Sequence, residues 1–225
     1  LLMVIGQGVL GGLRVTGTFT LSDNPELLSP STVLGIVHGV LGQLLLGCFV
    51  FAAALTSWTW LRGPGPRPID AAGPARFIAW ALLIALVLQL IIGAIYRHLA
   101  SDLEFEPSRT THILMAHIAL AVFVTLLAII NGMRGVMMEE GQPVMRRIGL
   151  GLLVLVVLQL GLGVGALLLV LKHQPGVPVP PLEVVVTSMH QANGALLLVA
   201  AVLMTAWTHR LTTARASRGQ SHVGA

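Results

Sequence analysis

Long apolar runs alternate with short polar segments along nearly the whole chain. A helix needs roughly 20 apolar residues to cross about 30 Å of hydrocarbon, and most of the runs have that length. The run at the start of the chain is shorter and predicts only part of a membrane helix. The predicted spans cover residues 1–13 (partial), 31–57, 76–96, 110–130, 148–171 and 184–208.

The segments between these runs are rich in residues that break helices or form turns. One of them reads Gly63-Pro64-Gly65-Pro66-Arg67-Pro68, and prolines also stand before or within most of the others. Proline and glycine mark the ends of helices. The pattern therefore predicts an all-α fold, a polytopic transmembrane helical bundle in which successive helices are antiparallel.

Composition excludes a water-soluble domain. Of the 225 residues, 55% are hydrophobic and 10% are charged, whereas soluble domains carry about 25% charged residues. The net charge of +4 comes from basic residues scattered among short linkers, which argues against a nucleic-acid-binding patch. The single cysteine, Cys48, excludes an internal disulfide.

Basic residues are distributed unequally between the two sets of linkers, and this predicts the orientation. One set with the C-terminal tail carries nine basic residues: Arg62, Arg67, Arg76, Arg134, Arg146, Arg147, Arg210, Arg215 and Arg218. The other set carries four: Arg14, Arg97, Arg109 and Lys172. Cytoplasmic loops hold the excess of Lys and Arg. We therefore predict a multi-pass protein of the inner (plasma) membrane with a cytoplasmic C-terminus.

The chain begins at Leu1 inside an apolar run, with no initiator methionine and no signal peptide. We expect it to be a fragment that lacks upstream helices. The predicted organisation is residues 1–57 as the end of an N-terminal half, 58–75 as a cytoplasmic linker, 76–208 as a four-helix C-terminal half, and 209–225 as a polar tail that frays after Trp207.

Three helix pairs share one motif. The first helix of each pair has Gln followed four residues later by Gly, and the second helix has a His about two turns from its start. The separations from Gln to His are 31, 28 and 31 residues. The three sets are Gln7, Gly11 and His38; Gln89, Gly93 and His117; and Gln159, Gly163 and His190.

The three histidines lie 8–10 residues beyond Pro30, Pro107 and Pro181, which is about 12–15 Å into a helix. Ionisable residues at such depth usually have a function. Two histidines from neighbouring helices can provide both axial ligands of a haem iron. A hydrogen bond between helices is the simplest alternative, and a zinc or copper site or a proton relay are weaker ones. The sequence contains no HExxH or CxxC motif and no acidic residue inside a full span.

Residues near the predicted outer ends of the helices could assist haem binding. Arg97 and His98 directly follow the second Gln-containing helix and are candidate partners for haem propionates, as are Arg14, Arg109 and Lys172. Small residues beside the three histidines would let a flat ring approach the helices: Gly35, Gly39, Gly42, Ala116, Ala119, Ala121, Ala192, Gly194 and Ala195. Close helix packing explains any one of them equally well.

Five segments of the chain resemble the haem A synthase family of cytochrome oxidase assembly: VIGQGVLGGLRVTG, GIVHGVLGQLLL, LQLIIGAIYRH, LQLGLGVGALLL and VVVTSMHQANGALLL. The resemblance covers nearly the whole chain. It implies an eight-helix architecture of two halves, a bis-histidine b-type haem cofactor and haem O as substrate. The implied reaction oxidises the C8 methyl of haem O to a formyl group. An unidentified electron donor and haem O synthase are the partners it suggests.

By the same resemblance, His117 and His190 are the iron ligands of the cofactor haem, and His38 is one ligand of the substrate haem. The partner of His38 and a catalytic glutamate would lie upstream of Leu1. The family usually has Arg directly after the histidine that matches His117, whereas this chain has Ile118 there. His112 is an alternative ligand to His117. A membrane b-type cytochrome or degenerate paralogue that carries electrons without modifying haem remains the alternative function. A structural or transport protein without haem is the third hypothesis.

Overall fold

The computed structural model describes residues 1–16, 30–69, 71–100, 107–137, 142–173 and 178–214. Within these ranges the chain forms seven α-helices and two three-residue strands. In chain order they are α1 (Leu2–Thr16), α2 (Pro30–Thr56), α3 (Trp58–Arg62), β1 (Arg67–Ile69), α4 (Ala72–Ala100), α5 (Pro107–Met137), α6 (Pro143–Lys172), α7 (Pro181–Leu211) and β2 (Thr212–Ala214).

Five helices, α2 and α4 to α7, are long and apolar enough to cross a membrane, while α1 is a shorter apolar helix. The protein is therefore a multi-pass, all-helical membrane protein. Helices α4 to α7 extend beyond their predicted spans at both ends by residues near the polar linkers, while α2 matches the predicted span 31–57 to within one residue at each end. Pro30, Pro107 and Pro181 each begin a helix, because proline has no N–H to lose at the first helical position and its φ is already helical.

Helices α4 to α7 form a closed ring. Helix α5 packs between α4 and α6, and α7 packs between α6 and α4, so α5 and α7 stand at opposite corners. Helix α2 packs outside this ring against α4 and α7, and α1 packs against α2. The ring corresponds to the predicted four-helix segment 76–208, whereas an eight-helix, two-half architecture stays a prediction.

One end of the ring, called here the strand end because β1 and β2 lie there, contains the packed core. Its fully buried side chains include Leu82, Met145, Leu152, Leu197 and Met204. Lipid provides no hydrophobic drive for helices to associate, so close van der Waals packing must hold them. The other end of the ring contains His117 and His190 and is called the histidine end.

Helices α5 and α6 touch through their backbones at the strand end. A Cβ atom added at Gly149 would lie 2.6 Å from the carbonyl oxygen of Gly132, and one at Gly135 would lie 2.8 Å from that of Met145. Only glycine allows this approach, which is typical of helix contacts in membranes.

The sequence predicts that the chain frays after Trp207, and this prediction is wrong for residues 208–214. Helix α7 continues to Leu211, and β2 then pairs in parallel with β1, with Arg67 opposite Thr212. Trp207 itself packs edge-on against Trp60 with ring centroids 4.9 Å apart. This pairing satisfies backbone groups that would otherwise be exposed at the helix end. Residues 215–225, including Arg215 and Arg218, lie outside the described ranges.

Candidate haem-ligand site

Two of the three predicted histidines meet inside the four-helix ring. His117 on α5 and His190 on α7 have ring centroids 6.5 Å apart, with their planes inclined by 70°. Two imidazoles in line on either side of one metal ion would have centroids roughly 6.3 Å apart, since each metal–nitrogen bond is about 2.0–2.1 Å. The centroid separation of His117 and His190 is therefore close in length to that of two imidazoles on one metal ion.

Each histidine ring lies on a glycine of the preceding helix. A Cβ atom added at Gly93 would come within 2.9 Å of His117 Cε1, and one at Gly163 within 3.1 Å of His190 Cε1. The same contact joins Gly11 to His38, at 3.2 Å. The glycine of the sequence motif is thus the surface on which the histidine of the same pair packs.

The glutamine of the motif makes the complementary contact. Gln89 Nε2 lies 3.2 Å from His117 Nε2 and donates to the backbone oxygen of His117 at 3.0 Å. Gln159 Nε2 lies 3.3 Å from His190 Nε2. Gln159 also lies near Gly194, four residues beyond His190, as Gln7 lies near the equivalent Gly42. The motif therefore describes a reciprocal contact in which His packs on Gly, and Gln reaches the histidine's helix.

Several side-chain polar atoms of the three Gln–Gly–His sets are buried without a hydrogen-bond partner. They include Nδ1 of His38, His117 and His190, Nε2 of Gln7 and Oε1 of Gln89. A buried polar group without a partner costs about 1–3 kcal/mol. Such groups are expected where side chains serve a ligand and not only the fold.

His38 belongs to a different environment. It lies on α2, outside the four-helix ring, and its ring packs on α1. Among the residues that the structure describes, no ring contact joins His38 to His117 or His190. His112, the alternative to His117, is exposed on α5 and likewise has no ring contact with His190 within those residues.

Of the cations predicted at the outer ends, Arg97 contacts the residue that follows His190. Its guanidinium donates to the side-chain oxygen of Gln191, the residue after His190. His98 points toward α2, where a Cβ atom added at Gly35 would lie 2.7 Å from His98 Cε1. Arg14 and Lys172 are exposed in the last turns of α1 and α6, and the side chain of Arg109 is outside the described part of the molecule.

Two polar features near the site had no signal in the sequence. Glu183 is buried in the first turn of α7, where its carboxylate lies 3.4 Å from His173 Nδ1. Asn193 is buried one turn beyond His190 and donates to the backbone oxygen of Leu155 and to Gln159 Oε1, at 2.9 and 2.7 Å. Neither residue belongs to the repeated motif, so spacing could not reveal them.

No three His, Cys, Asp or Glu side chains converge as a metal-binding group in the described ranges. A haem iron takes only two protein ligands, so a pair is sufficient for it, whereas structural zinc needs four. No family model, curated protein or solved structure matches the chain. Its function must therefore be argued from the site itself.

Proposed function

We propose that His117 and His190 are the axial ligands of a b-type haem iron, and that the protein is a membrane haem oxidoreductase of the haem A synthase type. The observation that carries the proposal is the centroid separation of 6.5 Å between two histidines on opposite helices of a four-helix ring. Haem sites in helical bundles are built from side chains on facing helices in this way.

The surrounding residues fit a flat, acidic, apolar cofactor. Gly93 and Gly163 present no side chain toward the histidine rings, so a macrocycle can approach the helices closely. Arg97 lies beside the residue that follows His190 and is the cation best placed for a propionate. Iron in such a site supplies one-electron transfer.

The reaction proposed for the protein is the oxidation of the C8 methyl of haem O to a formyl group in successive steps, and His117 and His190 would hold the haem cofactor that supplies one-electron transfer when bound. These two residues hold the cofactor and do not touch the substrate. His38 lies on α2 and packs on Gly11 of α1, and His98 on α4 packs on Gly35 of α2; these two histidines are proposed for the substrate side.

A single complete histidine pair among the described residues also favours a second candidate, a b-type cytochrome that transfers electrons without modifying haem. Pigment extraction separates the two candidates. Cells that express the gene with its upstream sequence and are supplied with haem O should accumulate haem A if the enzyme proposal holds. Haem b as the only pigment would leave the cytochrome.

The haem site itself is tested on purified protein produced with ample haem. We expect a reduced-minus-oxidised spectrum with a sharp α-band, and a loss of bound haem of about tenfold or more in His117→Ala, because an axial ligand is removed. His112→Ala is the matched control, since it removes an exposed histidine of the same helix, and it should retain the spectrum. Absence of Soret absorption in the wild-type protein would overturn the proposal.

A further inference from the structure

The amide of Gln159 is oriented by Asn193. An asparagine NH₂ group can only donate, and Asn193 directs one donor to the backbone oxygen of Leu155 and the other to Gln159, at 2.9 and 2.7 Å. The atom of Gln159 that receives this hydrogen bond must be its oxygen. Its NH₂ group is therefore the one that faces His190 Nε2.

The amide of Gln89 is oriented by a different partner. Its Nε2 lies 3.0 Å from the backbone oxygen of His117, which can only accept. A reversed amide would set two oxygens against each other. Gln89 thus also presents its NH₂ group to the imidazole, 3.2 Å from His117 Nε2.

Both contacts determine the tautomer of the histidine. An amide N–H that donates to Nε2 requires a lone pair on that nitrogen, so the proton of the neutral ring resides on Nδ1. This is the tautomer in which Nε2 can bind a metal ion. In most metal sites, a hydrogen bond made by one ring nitrogen of a histidine decides that the other nitrogen binds the metal. Here the glutamines contact Nε2, the nitrogen proposed to bind the metal.

We propose that Gln89 and Gln159 are positioning residues that hold His117 and His190 in the tautomer whose Nε2 lone pair can bind iron. Their amide NH₂ groups donate to these lone pairs until iron displaces them. This inference rests on the proposed haem site and assigns a role that the ligands alone do not provide. Without the glutamines, each buried imidazole could adopt either tautomer and rotate on its glycine.

The two glutamines differ in what they can do after release. In the contact between Gln89 and His117, Nδ1 of the histidine is a donor and Oε1 of the glutamine is an acceptor. Both atoms are buried, and neither has a hydrogen-bond partner. Gln89 Oε1 therefore remains available as an acceptor once the NH₂ group is displaced, and a hydrogen bond from Nδ1 to it would strengthen the ligand. Gln159 Oε1 is already bound by Asn193, so His190 lacks this second contact.

The test uses the purified full chain and the variants Gln89→Met and Gln159→Met. Methionine keeps the length and apolar contacts of glutamine but removes the amide. Gln7→Met is the matched control, because Gln7 occupies the same motif position but its buried Nε2 has no hydrogen-bond partner. Size-exclusion chromatography and helical content establish that each variant is folded.

Three readouts are needed. Titration of haem b into haem-free protein should show affinity reduced about 10- to 100-fold in Gln89→Met and Gln159→Met, the usual effect of losing a group that orients a metal ligand. The reduction potential should shift more in Gln89→Met than in Gln159→Met. The ¹⁵N shifts of the haem-free imidazoles, assigned with the His117→Ala and His190→Ala variants, should show the Nδ1–H tautomer in the wild type and a mixture at the affected histidine.

The outcomes separate this inference from the proposed function. Haem bound as tightly by Gln89→Met and Gln159→Met as by the wild type would overturn the inference and leave the haem site standing. The Nε2–H tautomer in the haem-free wild type would do the same. A wild-type protein that binds no haem would overturn both. Reduced affinity in Gln7→Met equal to that in Gln89→Met would show a packing effect and count against the inference.

Discussion

The first Gln–Gly–His set and the second share one motif but differ in what surrounds them. Gln7, Gly11 and His38 lie on α1 and α2, and no residue of α1 is buried. Gln89, Gly93 and His117 lie within the four-helix ring. In both sets the histidine packs on the glycine, at 3.2 and 2.9 Å from the position of an added Cβ. The motif therefore encodes the contact between two helices.

The polar contacts of the two sets differ because another helix pair packs opposite the histidine only in the second set, inside the ring. Gln89 reaches His117 Nε2, whereas Nε2 of Gln7 is buried without a partner. His117 meets His190 across the ring. Two copies of the motif thus bring their histidines together only where the copies face each other inside the ring, and the following predictions address that difference.

The largest expected difference is in bound haem. His190→Ala should remove nearly all haem from the ring, because one axial ligand remains, whereas His38→Ala should leave the bound haem of the ring site within about twofold of wild type. Haem per chain is measured by pyridine haemochrome assay after purification. Equal losses in the two variants would mean that all three histidines share one site, contrary to the comparison.

A smaller difference is expected from filling the glycine positions. Gly93→Ala places a methyl group 2.9 Å from His117 Cε1, so the ring must shift, and overpacking of this kind costs about 1–3 kcal/mol. Gly11→Ala meets His38 at 3.2 Å beside an exposed helix and should cost less. Thermal unfolding in mild detergent measures both, and a larger loss in Gly11→Ala would contradict the proposed order.

The smallest effect is expected from Ala121→Gly. Four residues beyond the histidine, the first and third sets have Gly42 and Gly194, and the second set has Ala121. The substitution makes the three sets alike and should reduce the free energy of unfolding by about 0.5–1 kcal/mol, the usual cost of glycine in a helix. Haem content should not change, and its loss would show that Ala121 itself shapes the site.

Much of the fold followed from the sequence because lipid imposes strict rules on length and hydrogen bonding. Apolar runs of about 20 residues predicted the spanning helices, and Pro30, Pro107 and Pro181 marked the starts of three of them. The strand pair at residues 67–69 and 212–214 was not predicted, because each strand has only three residues and its partner is distant in sequence. The same holds for Asn193 and Glu183, whose burial depends on neighbouring helices.

The sequence by itself determined which positions are equivalent: Gln, then Gly after four residues, then His on the next helix. It did so because a repeated contact between helices requires the same residues at the same spacing. Only the tertiary structure decided that His117 and His190 approach to 6.5 Å while His38 stays apart. The physical reason is that closure of α4 to α7 into a ring brings α5 and α7 to opposite corners, and nothing in the spacing along one chain specifies which helices close that ring.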